Sequence, residues 1–238
     1  MRRLLAPLAE ADRYVVVGVI GGLFLLTVYL YQGHHSFYTS HVASSPARDS
    51  GYAEWYAHSY QFLAAFVFML VVPGLWVRFG TKERLADHGL ALGDWRFGLK
   101  FLLVAMVVLI APLYLTASQP EFQAEYPLAK MAGRTVWLFL LWELCYLVYY
   151  VAWEFFFRGF WQLGLSRSLG VMGAMALQTA VSTIMHIGKP EGETMAAIVA
   201  GPVFGLVAIR TRSVLYVILL HWYVGTMTDL FCLLQSGS

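Results

Sequence analysis

Apolar positions along this chain come in long unbroken blocks, with polar residues gathered between them. Seven blocks stand out, at residues 14–31, 60–77, 97–116, 135–157, 171–187, 194–209 and 214–234. A helix needs about 20 mostly apolar residues to cross the hydrocarbon core of a bilayer. The pattern therefore predicts an all-α protein, a multi-pass transmembrane helix bundle of about seven spans. The fifth and sixth blocks are short and fit a tilted or partly re-entrant path. No internal repeat or low-complexity segment divides the chain. Residues 1–134 read as N-terminal helices and loops and 135–234 as a core, together one integral domain.

Composition agrees with lipid as the solvent: 59% of the 238 residues are hydrophobic and 13% are charged, against roughly 25% charged in a soluble domain. No Lys/Arg stripe of the kind a nucleic-acid binder carries is present, so the bilayer is an expected partner and nucleic acid is not. Cys145 and Cys232 lie inside apolar runs and read as packed thiols. The basic start, Met1-Arg2-Arg3, precedes a block long enough to span and reads as a retained helix. With seven spans, Arg2, Arg3, Arg13, Arg78, Lys82, Arg84, Arg96, Lys100, Arg167, Arg210 and Arg212 fall on one side, and Arg48, Lys130, Arg134 and Lys189 on the other. Arg158 belongs to a helix. Basic loops stay cytoplasmic, which predicts a cytoplasmic N-terminus in an integral protein of a bacterial inner (plasma) membrane.

Ionisable groups at membrane depth cost several kcal/mol and mark function by default. Here they are Glu143, Glu154 and Arg158 on the fourth block, His186 at the end of the fifth, and His221 and Asp229 on the seventh. Glu154 and Arg158 are four apart and share a helix face. Glu143 is eleven residues earlier, nearly on that face and about 16 Å away along the axis. His186 precedes Gly188 and Pro190, helix breakers that predict a bend, with Glu193 just beyond. A carboxylate, two histidines and an arginine suffice for water-activating hydrolysis, with a buried Glu as general base, a His sharing its proton and a second His bonded to the oxyanion. The competing reading is a buried ion pair with packed histidines. His34, His35, His41 and His58 on the polar stretch 32–59 could hold a metal, though a solvated loop is the plainer account.

At these residues a resemblance enters. Trp153-Glu154-Phe155-Phe156-Phe157-Arg158 resembles the Glu-Glu-x-x-x-Arg motif of the CAAX-protease and bacteriocin-processing family, the glutamic-type intramembrane endopeptidases. His186, after Ser182 and Thr183, resembles that family's second-motif histidine. Gly201-Pro202-Val203-Phe204-Gly205 resembles its small-residue helix, and His221 its third-motif histidine. The resemblance covers about 135–234. Trp153 stands where the family has its first Glu, and Gly225 where it has Asn or Asp. The resemblance implies an intramembrane protease acting on a membrane-anchored substrate, with Glu154, His186, His221 and Arg158 at its site, supported by Glu143, Asp229 or Glu193. It implies no cofactor. Zn²⁺ held by Glu154, His186 and His221 is the alternative, without the His-x-x-x-His pair of many zinc peptidases. The second functional reading is a catalytically silent relative acting as a binding or immunity scaffold, favoured by Trp153 and Gly225. A proton-coupled carrier is the third, and it lacks the repeated halves common in transporters.

Overall fold

The computed structural model describes residues 13–236, so Met1-Arg2-Arg3 lies outside the described residues. Every regular element among them is helical. Helix α1 (Val16–Gln32) bends by 44° into α2 (His35–Val42). After them come α3 (Ala53–Thr81), α4 (Trp95–Thr116) and a continuous helical stretch, Val136–Ile184. That stretch breaks at Gly170, whose φ of 70° and ψ of 162° fall in a region only glycine occupies at low cost. It is therefore two helices, α5 (136–169) and α6 (171–184). Helix α7 (Glu191–Thr211) and α8 (Leu215–Ser236) complete the described residues.

The break folds α6 back along α5. The His186 ring lies 5.4 Å from that of Trp153, although 33 residues separate them in the chain. Ala174, Leu177 and Val181 pack into the same cluster as Phe157, Trp161 and Leu165. Five helices are long and apolar enough to span, and the bent pair α1–α2 makes six. Dividing Val136–Ile184 at Gly170 yields the seven segments the sequence predicts. At about 21 Å, α6 is too short to cross the roughly 30 Å hydrocarbon core alone.

Boundaries differ from the sequence reading in two places. The fourth block was predicted to end at 157, near Arg158. Instead α5 runs on to 169, because the Arg158 charge is neutralised inside the bundle and gives the helix no reason to stop. Glu154 consequently lies mid-helix, level with the end of the returning α6, so both reach one depth. The stretch 32–59, predicted as a loop, is largely helical: α2, a turn at Ser45–Arg48, and the first residues of α3.

Local signals place the helix starts. Asp94 caps α4 by accepting from the Phe97 N–H at 3.2 Å, and Thr135 caps α5 by accepting from Leu138 N–H at 3.2 Å. The core is aromatic and centred on α5, where Trp142, Trp153, Phe155, Phe156, Phe157, Phe160 and Trp161 are all buried. Lipid tails are as apolar as these side chains, so close packing and interhelical hydrogen bonds supply the cohesion. Gln178 Nε2 donates to Gly201 O at 3.0 Å and Gln162 Nε2 to Gly205 O at 2.8 Å, stitching α6 and α5 to the small-residue stretch of α7.

Polar contacts gather at the two ends of the bundle. At one end Tyr14 donates to Phe160 O at 3.0 Å, Arg210 pairs with Asp94 at 2.7 Å, and Arg167 pairs with Glu83. At the other, Lys189 pairs with Glu125 at 2.7 Å and the Lys130 N–H donates to Glu54 at 2.9 Å. Arg167 and Arg210 thus lie at one end and Lys130 and Lys189 at the other.

Candidate active site

Helix α5 carries a row of ionisable groups into the core. Arg158 Nη1 donates to Glu154 Oε1 at 3.2 Å, one turn apart. From α8, His221 Nδ1 lies 2.6 Å from the same oxygen. A carboxylate oxygen accepts, so His221 Nδ1 is the donor and its Nε2 is the free nitrogen. Glu154 is wholly buried and Arg158 is 3% exposed. Tyr150, one turn before Glu154, lies with its ring 4.5 Å from that of His221 on one side, and Phe204 lies 5.7 Å away on the other. The Arg158 guanidinium also sits over the Phe204 ring at 5.5 Å.

His186 comes from the end of α6, where the bend predicted from Gly188 and Pro190 forms. Gly188 adopts a φ of 101° and α7 begins at Glu191. His186 Nδ1 lies 2.7 Å from Ser182 O. A carbonyl accepts, so Nδ1 carries the proton and Nε2 the lone pair. Burial pulls the His186 imidazole down from its ordinary 6.5 to about 4, which keeps it neutral at pH 7.

A cavity of about 740 Å³ runs between α4, α7 and α8, and Arg158, His186 and His221 line it, with Tyr150, Trp153 and Glu193. Val104, Val108, Val199 and Val203 line it too and are exposed on the outer face of the bundle. The cavity therefore opens sideways between α4 and α7.

The sequence candidates are sorted by this geometry. Glu154, Arg158 and His221 form one bonded row, and His186 shares their cavity. Glu154 lies behind His221 and is not among the residues lining the cavity. Glu143 and Asp229 form a separate buried cluster, in which Thr226 donates to Glu143 Oε2 at 2.5 Å and Trp142 donates to Asp229 Oδ2 at 3.0 Å. Glu193 faces the cavity. The suggested zinc set does not assemble, since Glu154 Oε1 is taken by His221 Nδ1 and Arg158. Among the described residues no group of three His, Cys, Asp or Glu could hold a metal. Between the end of α1 and the first turns of α3, the rings of His34, His35 and His58 lie 4.0 and 4.5 Å apart in succession, while His41 stacks on Phe37. Sequence reasoning missed Tyr150 and Ser182. Tyr150 could have been found by its one-turn spacing from Glu154, whereas nothing in the sequence marks the Ser182 carbonyl.

Fold and site define a polytopic membrane protein with a buried Glu–Arg–His row opening on a lipid-facing cavity. Residues 135–227 match the family described as type II CAAX prenyl endopeptidase Rce1-like. The match falls on α5 to α8, the helices that build the site, and agrees with the resemblance read from the motifs. No curated protein and no solved structure matches the chain.

Proposed function

We propose that the protein is an intramembrane endopeptidase, which hydrolyses a peptide bond of a membrane-anchored protein with water activated in the lateral cavity. The observation that carries this reading is the pair of histidines lining one cavity, each bonded through Nδ1 and one of them backed by a carboxylate. His186, neutral, holds the attacking water through its Nε2 lone pair. His221, carrying a proton on each nitrogen as an imidazolium paired with the Glu154 carboxylate at 2.6 Å, donates from Nε2 to the developing oxyanion. That is the orienting role a buried carboxylate plays behind a catalytic histidine. Arg158 fixes Glu154 and adds positive charge to the cavity wall. The mechanism uses no metal. The sideways opening supports a substrate that arrives through the bilayer, and the excess of basic residues on one side of the sequence division supports a cytoplasmic N-terminus in a plasma membrane.

The test is cleavage by protein reconstituted in liposomes, with a prenylated CAAX-terminated peptide as first probe and anchored apolar peptides as second. His186→Ala and His221→Ala are each expected to abolish processing while the protein still inserts. A silent scaffold is the competing reading, because Trp153 replaces the family's first Glu and Glu154 is withdrawn from the cavity wall. It takes over if the wild type cleaves nothing, or if both histidine variants cleave at the wild-type rate.

A further inference from the structure

Water activation needs a group that takes a proton and gives it back, and a carboxylate facing the reacting atoms suits that task. Of the residues lining the cavity, Glu193 alone carries a carboxylate. It sits in the first turn of α7, where the helix N-terminus favours negative charge. Its position is fixed relative to His186 by a compact turn. The Lys189 N–H donates to His186 O at 3.0 Å, and Thr194 Oγ1, beside Glu193, donates to the same carbonyl at 2.9 Å. From the opposite wall Tyr126 OH donates to Glu193 Oε2 at 2.5 Å. Burial, and next the Glu193 charge, push the Tyr126 phenol well above its ordinary 10, so it stays a donor. Glu193 Oε2 is thus anchored in a side chain that lines the cavity.

We infer that Glu193 is the acid–base carboxylate of the site, on the proposal that the protein is an endopeptidase. In the first step a water O–H bond breaks and the proton goes to Glu193. The water oxygen bonds to the scissile carbonyl carbon, whose π electrons move onto its oxygen beside His221. In the second the C–N bond breaks, its electrons go to nitrogen, and Glu193 returns the proton to the leaving amine. Water and peptide become acid and amine, and the carboxylate is regenerated. Glu154 is then a positioning residue that acts through His221, and Glu193 a catalytic one.

The experiment compares Glu193→Gln, Glu193→Asp and Tyr126→Phe with His186→Ala in the liposome assay, with thermal unfolding of each. Glu193→Gln is expected to lower kcat about 10²–10⁴-fold with folding retained. Any residual rate should lack the acid limb of the wild-type pH profile. Glu193→Asp keeps a carboxylate and is expected to fall between, as is Tyr126→Phe, which frees the anchored oxygen. A folded Glu193→Gln as fast as wild type, with His186→Ala inactive, overturns this assignment and leaves the endopeptidase reading standing. A wild type that cleaves nothing overturns both. If Glu193→Gln does not fold, a folded Glu193→Asp with an unchanged kcat and pH profile overturns the assignment alone.

Discussion

Replacing Arg158 by methionine keeps much of its length and removes its charge. The guanidinium stands 3.2 Å from Glu154 Oε1, a gross attraction of about 5 kcal/mol at an effective dielectric of ~20. Both side chains are buried, so water does not replace a lost partner. Stranding one member of a buried pair typically costs about 3–5 kcal/mol, and Arg158→Met is expected to destabilise the protein by that amount. Glu154→Gln should cost a similar amount from the other side by stranding the guanidinium, although the amide oxygen can still accept from His221. The double variant carries neither charge and is expected to recover most of the loss, a coupling of roughly 3 kcal/mol, at the upper end for contacting residues. Denaturant unfolding in detergent, followed by tryptophan fluorescence, measures all four proteins. Cleavage should be slow in all three variants, since none presents His221 with a carboxylate held in place. An Arg158→Met as stable as wild type, or losses that simply add in the double variant, would refute the pair.

Acid should act on His186. Its folded pKa of about 4 lies below the ordinary 6.5, so the stability from keeping it neutral is complete above pH 6.5 and is lost as pH falls through 4. His186→Gln should unfold at lower pH than wild type in an acid titration; an unchanged midpoint counts against the buried neutral imidazole. At Gly170 no atom lies within 4 Å of an added Cβ, so Gly170→Ala meets backbone strain alone, about 1–3 kcal/mol, seen as a lower unfolding midpoint. At Gly225 an added Cβ would lie 2.2 Å from Tyr150 Oη. Gly225→Ala should therefore cost about 1–3 kcal/mol and slow cleavage by moving Tyr150 off His221. Tyr150→Phe in the same protein should recover part of the stability, and no recovery would place the clash elsewhere.

The spans were legible because a long unbroken apolar run satisfies its own backbone in lipid only as a helix, so apolar length alone announces them. The extent of α5 was not legible. A hydropathy pattern counts Arg158 as a charge and cannot see that Glu154 neutralises it in the core. The pairing itself was readable from the spacing of four, and the bend after His186 from Gly188 and Pro190. Which carboxylate meets the cavity was beyond the sequence. The sequence ranks Glu154 first, with Glu143 and Glu193 in support, and only the docking of α7 and α8 on α5 turns Glu193 to the cavity, Glu154 behind His221 and Glu143 towards Thr226. Gly170 carried no signal that set it apart from the glycines around it, because its positive φ is a consequence of the hairpin.

Enzyme and scaffold differ in what the row Arg158–Glu154–His221 is for. A scaffold could join α5 to α8 with apolar side chains, since replacing a buried ion pair by well-packed hydrophobic residues is often neutral or stabilising by 1–4 kcal/mol. The row is a poor adhesive by comparison. Glu154 Oε2 and Arg158 Nε are buried without hydrogen-bond partners, and each such atom carries a desolvation cost of about 1–3 kcal/mol. If the row serves chemistry, removing it whole should release that cost. The variant Glu154→Met, Arg158→Met, His221→Phe is therefore expected to fold with stability equal to or above wild type and to cleave nothing. Its packing partners are already apolar or aromatic, Tyr150 and Phe204 against His221 and Phe204 beneath Arg158. Unfolding in detergent and cleavage in liposomes decide it. A triple variant destabilised by more than about 3 kcal/mol would mean that the row holds the bundle together, which is the scaffold's use for it, and the endopeptidase reading would lose its energetic argument.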